Sequence, residues 1–262
     1  MEEDRWCQTL KDVLLGIVVG IANVIPGVSG GTFLFISGKY KKLIETVNLL
    51  LRFRIDREKF FFLLKLGVGI AFGILAFSKL LDFVYQNYRE YCLAVFSGFI
   101  TGGAVSISRK ISFTLSSILT SISAFVVSLF LFLSTPKDLP PDYFILILGG
   151  IFAAFSMVLP GISGSFILLI MGIYDDAIRA VSKMDLKILI PLGAGVLVGL
   201  ILVFKVLGFL TKRYWNATMS FLLGLTLAGI VKIFPTSINV TILLFLGVSF
   251  LIALKFPKFF GE

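Results

Sequence analysis

Apolar residues run in long stretches over about 12–38, 60–81, 92–108, 111–134, 144–172, 188–210, 216–234 and 236–254, and polar residues collect between them. Most of these stretches match the roughly 20 residues that a helix needs to span a bilayer. Two do not. Residues 12–38 and 144–172 are too long for one simple span, and each is interrupted near its middle. The interruptions are Pro26-Gly27-Val28-Ser29-Gly30-Gly31-Thr32 and Pro160-Gly161-Ile162-Ser163-Gly164-Ser165. Proline removes a backbone donor and clashes with the preceding turn, while glycine permits non-helical angles. Each segment therefore predicts two half-helices of roughly 9–15 residues, and each half reaches about the bilayer midplane at ~1.5 Å per residue.

A broken segment can cross the membrane, or it can dip in and return as a re-entrant hairpin. Cytoplasmic loops are rich in Lys and Arg, so the basic loop 39–59, with seven such residues, is placed inside in either case. Re-entrant hairpins then put 15 Lys and Arg inside and 5 outside, the latter being Arg89, Lys137, Arg179, Lys183 and Lys187. Crossing segments put 12 inside and 8 outside. Charge favours the hairpins.

The two breaks head an internal repeat. At an offset of 134, Pro26-Gly27-x-Ser29-Gly30 falls on Pro160-Gly161-x-Ser163-Gly164, Gly38-x-Tyr40 on Gly172-x-Tyr174, and Ile44 and Val47 on Ile178 and Val181. Beyond the basic loop the offset becomes 126. Gly67, Gly69 and Gly73 then match Gly193, Gly195 and Gly199; Lys79 matches Lys205; Gly98 and Gly103 match Gly224 and Gly229. One hairpin plus three crossings per half is an odd number of crossings, so the second half enters from the opposite side. The expected fold is an all-α polytopic membrane protein, one transmembrane domain over 1–262 with inverted repeats at 12–134 and 144–254. Inverted repeats with discontinuous helices are a common transporter plan.

Composition narrows the chemistry. Of 262 residues 58% are apolar and 15% charged, with a mean hydropathy of +1.02. A soluble domain carries about 25% charged residues. The chain has no histidine, which removes His-ligated zinc sites and Ser-His-Asp triads. Cys7 and Cys92 lack ligand spacing, so no metal and no cofactor is expected. The net charge of +9 is read as topological, and no nucleic-acid partner is expected.

Half-helices starting at Ser29–Thr32 and Ser163–Ser165 would offer N–H groups and a partial positive charge to an anion. The candidate binding residues are Asn23, Ser29, Gly30, Gly31, Thr32, Ser163, Gly164, Ser165, Lys79 and Lys205. Bland readings stand beside these. Small residues permit close helix packing in membranes, Asn23 can satisfy freed backbone, and Lys79 and Lys205 can snorkel to an interface. Lys65 and Lys232 read as interfacial. Residues 43–53 read as an interfacial amphipathic helix. All 15 acidic residues fall in predicted loops or at interfaces. Among the 28 phenylalanines some could line a groove for an acyl or prenyl chain, but no position stands out. Gly27-Val28-Ser29-Gly30 has the shape of an intramembrane protease motif, yet the histidine base is missing; a Ser-Lys dyad at Ser29 or Ser163 is chemically open, but two equivalent serines suit a symmetric binding site better than one nucleophile, so no enzyme is expected. A carrier or channel for a small inorganic anion fits the half-helix sites nearly as well as a lipid carrier.

The run Gly20-Ile21-Ala22-Asn23-Val24-Ile25-Pro26-Gly27-Val28-Ser29-Gly30-Gly31-Thr32, with Gly38-x-Tyr40, resembles the bacterial and archaeal family of polyprenyl-phosphate transporters, the undecaprenyl-phosphate translocases, formerly a membrane family of unknown function. Leu159-Pro160-Gly161-Ile162-Ser163-Gly164-Ser165-Phe166 with Gly172-x-Tyr174 is similar to its second signature. The resemblance implies a multi-pass protein of the cytoplasmic membrane that flips a polyprenyl phosphate carrier for reuse in cell-envelope synthesis. Its partners would be that lipid and the surrounding membrane lipids, with a homo-oligomer left open. It also implies that Ser29, Gly30, Gly31, Thr32, Ser163, Gly164 and Ser165 belong to the site. The chain departs from the family pattern at Lys41, where members often carry an acidic residue, while the second copy keeps Asp175.

Overall fold

A computed structural model describes residues 2–24, 28–134 and 142–260; Pro26 and Gly27 of the first break, and Lys137 of the charge count, lie outside the described residues. Twelve helices occur among them: α1 (Glu2–Val24), α2 (Gly30–Ile36), α3 (Tyr40–Leu50), α4 (Arg57–Asn87), α5 (Arg89–Ser108), α6 (Leu115–Leu133), α7 (Tyr143–Val158), α8 (Gly164–Ile170), α9 (Tyr174–Lys183), α10 (Leu186–Arg213), α11 (Trp215–Ile233) and α12 (Val240–Phe260). Seven of these are long and apolar enough to cross a bilayer, α1 over Trp6–Val24, then α4, α5, α6, α10, α11 and α12. Leu75, Phe130 and Leu133 stand bare on them. Such a surface is stable against lipid and not against water. The protein is an all-α, multi-pass membrane protein.

Short polar residues start the helices where the apolar runs begin. Asp56 accepts from the Lys59 N–H, Asp142 from the Ile145 N–H and Asp185 from the Lys187 N–H. Thr114 and Ser117 form a reciprocal capping box on α6. Each such cap stabilises its helix by about 1 kcal/mol.

Helices α1 to α6 and α7 to α12 follow a similar succession of long and short elements, and their packing repeats as well. The backbone of Gly69 and Gly73 lies against the carbonyls of Val13 and Ile17, while that of Gly195 and Gly199 lies against those of Ile147 and Ile151. These are corresponding positions in the two halves. Glycine seams of this kind let membrane helices approach backbone to backbone. The last helices are exchanged between halves: α5 packs on α12 with Gly98 against the Leu246 carbonyl, and α11 packs on α6 with Gly224 against the Ser121 carbonyl.

The second break turns the chain back on itself. Gly164 lies against Ala153 and Met157, and Leu168 and Ile173 lie beside Gly149, so α8 retraces α7. Two glycines then end the short arms, Gly38 at φ 78° and Gly172 at φ 75°, a left-handed conformation that other residues rarely adopt.

The hairpin arms are unequal, because α1 continues N-terminally to Glu2 while α2 and α8 have only seven residues. Asp12 lies on α1, 3% exposed, and accepts from Gln8 Nε2 at 3.0 Å. Helix α3 does not merely float in the interface. It buries Tyr40, Leu43, Ile44 and Thr46 and packs on α10, where Asn48 Nδ2 donates to the Phe204 carbonyl at 2.6 Å. Helix α12 passes the expected stop at 254 and continues through Pro257 to Phe260, because Phe256, Pro257 and Phe260 are all buried and their packing outweighs the lost backbone donor.

Candidate functional site

The two breaks interlock. The Gly161 N–H donates to Thr32 Oγ1 at 2.9 Å, Tyr40 Oη donates to the Val158 carbonyl at 3.0 Å, and the backbone of Gly31 lies against that same carbonyl. Gly161, at φ 86°, in turn presses on the Leu225 carbonyl of α11. Irregular backbone at membrane depth persists only where such partners satisfy it.

The environments of the two breaks differ. At the first, the Gly30 N–H donates to Asn23 Oδ1 at 2.9 Å, and Ser29, Gly30, Gly31 and Thr32 are buried, Ser29 to 4% exposure. Asn23 thus satisfies freed backbone. The matching position in the second half is Met157, packed against Gly164, and it offers no such acceptor. Ser163 and Ser165 there pair only with each other among the described residues, Oγ to Oγ at 2.8 Å. Both line a cavity of about 400 Å³.

That cavity has two cations on its wall, Arg89 and Lys232. Lys232 Nζ stands 3.0 Å from the centre of the Phe166 ring and 4.7 Å from that of Phe132. The Arg89 guanidinium lies 5.8 Å from the Tyr85 ring. Aromatic faces hold a cation in place without neutralising it. Two hydroxyls, a lysine and an arginine around one concavity suit an anionic oxygen cluster.

Lys79 and Lys205 do not join this arrangement. Lys79 is exposed on α4, and Lys205 is exposed in a basic groove with Lys59, Lys212 and Arg213. The breaks therefore meet, but the lysines chosen from the repeat stay away. Sequence reasoning missed Arg89 as a site residue and put Lys232 at the interface. Their counterparts are Trp215 and Ser106, so the repeat carries no trace of either charge; only the position of Lys232 inside an apolar run hinted at it. Lys65, also read as interfacial, donates to Thr9 Oγ1 at 2.8 Å.

An apolar groove of about 560 Å³ runs beside α2, lined by Phe33, Phe96, Phe99, Phe256, Phe259 and Phe260 together with Val18 and Ile252. Among the described residues no group of three or more His, Cys, Asp or Glu could hold a metal ion.

A family model described as undecaprenyl phosphate translocase-like matches residues 19–244. A polyprenyl-phosphate transporter of Vibrio cholerae serotype O1 is 33% identical over 239 residues, which cover 86% of this chain and 78% of that protein. A polyprenyl-phosphate transporter of Staphylococcus aureus is 27% identical over 257 residues, covering 90% of this chain and 88% of the relative. No solved structure matches. The chain belongs to the undecaprenyl phosphate translocase-like family.

Proposed function

We propose that the chain is a flippase that moves a polyprenyl monophosphate across the cytoplasmic membrane, returning the lipid carrier for another round of cell-envelope synthesis. The carrying observation is the cavity at the second break, where Ser163, Ser165, Arg89 and Lys232 surround a space of about 400 Å³. A phosphate monoester holds about −1.5 to −2 charges near neutral pH, which the two cations offset. The seven-residue α2 and α8 make weak dipoles, so the charge falls to these side chains and the hydroxyls add hydrogen bonds. The site of this reading comprises Ser163, Gly164 and Ser165 with Arg89 and Lys232; Asn23, Ser29, Gly30, Gly31 and Thr32 hold the opposing break, and Lys79 and Lys205 are left to the membrane interface.

The repeats at 12–134 and 144–254 are taken as inverted. Support comes from α3, which pairs with the start of α4 through Lys42–Glu58 at 3.2 Å and Lys59–Glu45 at 3.4 Å, yet holds the end of α10 through Asn48. Corresponding helices so placed run in opposite directions, and rocking one half against the other would expose the breaks to either side. The apolar groove favours a lipid over a small inorganic anion, because an isoprenoid tail needs a lateral apolar path and a free ion does not.

The test is leaflet exchange of a fluorescent polyprenyl phosphate in proteoliposomes, with inorganic phosphate uptake as control. Exchange should be lost in Arg89→Gln/Lys232→Gln and in Ser163→Ala/Ser165→Ala, with phosphate uptake absent throughout. Undiminished exchange in both variants would reject the site. Phosphate uptake at a similar rate would replace the lipid by the ion.

A further inference from the structure

The repeat offsets map the open cavity onto a second, nearly shut one. Leu169, Tyr174, Ile233 and Arg89 line the open cavity; their counterparts Phe35, Tyr40, Ile107 and Trp215 line a space of only about 50 Å³. The agreement is positional and not chemical, since Trp215 replaces Arg89. Cations nevertheless return by other routes. Lys41 and Lys110 both line the small cavity, and Lys41 Nζ rests 5.1 Å from the Trp215 ring much as Lys232 rests on Phe166. A carboxylate is also near, with Glu45 at 4.0 Å from Lys41. Burial pulls the Lys110 ammonium below its ordinary value, and a partly desolvated cation gains from an anion beside it.

A hydrogen bond marks which side is shut. Tyr40, on the wall of the small cavity, donates from Oη to the Val158 carbonyl at 3.0 Å. The corresponding pair is Tyr174 and Val24, and among the described residues no hydrogen bond joins them. Arg89 follows the end of α4, whereas Lys41 sits on α3 beside the start of α4, so the cavities lie toward opposite ends of that helix.

We propose that Lys41 and Lys110 form a second monophosphate-binding station, with Tyr40 as its latch, closed in this conformation by the Tyr40–Val158 bond and opened as the Arg89–Lys232 cavity shuts. This rests on the reading of that cavity as a head-group site. The ligand class is a prenyl monophosphate, held here by two lysines in place of the arginine, lysine and serine hydroxyls of the first station.

Two reporters follow both stations in one protein. The chain has two tryptophans, Trp6 and Trp215, so Trp6→Phe leaves Trp215 as the sole emitter at the second station. With Cys7→Ser and Cys92→Ser, Leu169→Cys places a single thiol at the first station, where a membrane-impermeant maleimide labels it. Tyr40→Phe removes one hydrogen bond, worth about fivefold in the balance of two states, and should raise iodide quenching of Trp215 while lowering maleimide labelling of the introduced thiol. Farnesyl phosphate should then protect that thiol in the Tyr40 protein and shield Trp215 in Tyr40→Phe, and Lys41→Gln/Lys110→Gln should abolish only the second effect. Protection of the thiol without shielding of Trp215 overturns the second station and leaves the first intact. Protection at neither overturns both. If Tyr40→Phe raises labelling and quenching together, the fold has loosened without exchange, and the proposal falls.

Discussion

Thr32 Oγ1 accepts the amide hydrogen of Gly161 at 2.9 Å, a bond between the two breaks made by residues 129 apart in the chain. Gly161 sits where the backbone has left its helix, and Thr32 stands in the first turn of α2. Thr32→Val keeps the shape and removes the acceptor, leaving the Gly161 N–H without its partner. A cost of about 1–3 kcal/mol is expected, seen as a lower unfolding temperature in detergent with reduced lipid exchange. Thr32→Ser should restore most of both.

The glycines divide sharply by what surrounds them. A Cβ on Gly69 would meet the Val13 carbonyl and Gly16, whereas one on Gly67 or Gly193 meets nothing within 4 Å. Gly69→Ala should destabilise by about 1–3 kcal/mol through forced separation of α1 and α4. Gly67→Ala and Gly193→Ala should be neutral or gain up to about 1 kcal/mol of helix propensity. Thermal unfolding of the three variants side by side would decide it.

Arg89 and Lys232 carry the charge of the proposed head-group site. Charge-assisted hydrogen bonds contribute about 1.5–3 kcal/mol each, so Arg89→Gln and Lys232→Gln should each weaken prenyl phosphate binding by about tenfold or more. Lys79→Gln and Lys205→Gln touch exposed side chains away from the cavity and should change it by less than about twofold. Titration of a short-chain prenyl phosphate against the purified variants measures this, and equal effects at all four lysine and arginine positions would point to diffuse surface charge instead.

Burial raises the Tyr40 phenol above its ordinary value of 10.0. The folded protein then keeps a proton that the unfolded chain releases, so this group's contribution to stability is complete below about pH 10 and is lost as pH rises beyond it. Tyr40→Phe should flatten that alkaline decline relative to the parent. Unfolding midpoints compared across pH 9 to 11, about one unit to either side of the ordinary phenol value, would reveal the difference in slope.

Much of the architecture was legible because it depends on near-neighbours in sequence. Apolar run length predicts the spans, Pro-Gly-x-Ser-Gly predicts the breaks, and Gly38 and Gly172 predict where the short arms end, since each reflects a local backbone or solvation constraint. The helix boundaries moved where packing overrode a local signal, as at Pro257. The candidate site was half legible. Ser163 and Ser165 stand on the cavity wall, but Ser29 is buried and Thr32 spends its polarity on holding the breaks together.

By itself, the sequence determined an all-helical membrane chain with a doubled pattern and two broken segments, because hydrophobic length and glycine spacing act along one chain segment at a time. The tertiary structure alone decided that α6 and α12 pack across to the other half, that Asn23 closes one break while Met157 leaves its counterpart open, and that Lys232 and Arg89 meet Ser163 and Ser165. Those outcomes depend on side chains drawn from helices far apart in sequence, and equivalence between repeats cannot reveal a difference that exists only where the two halves face each other.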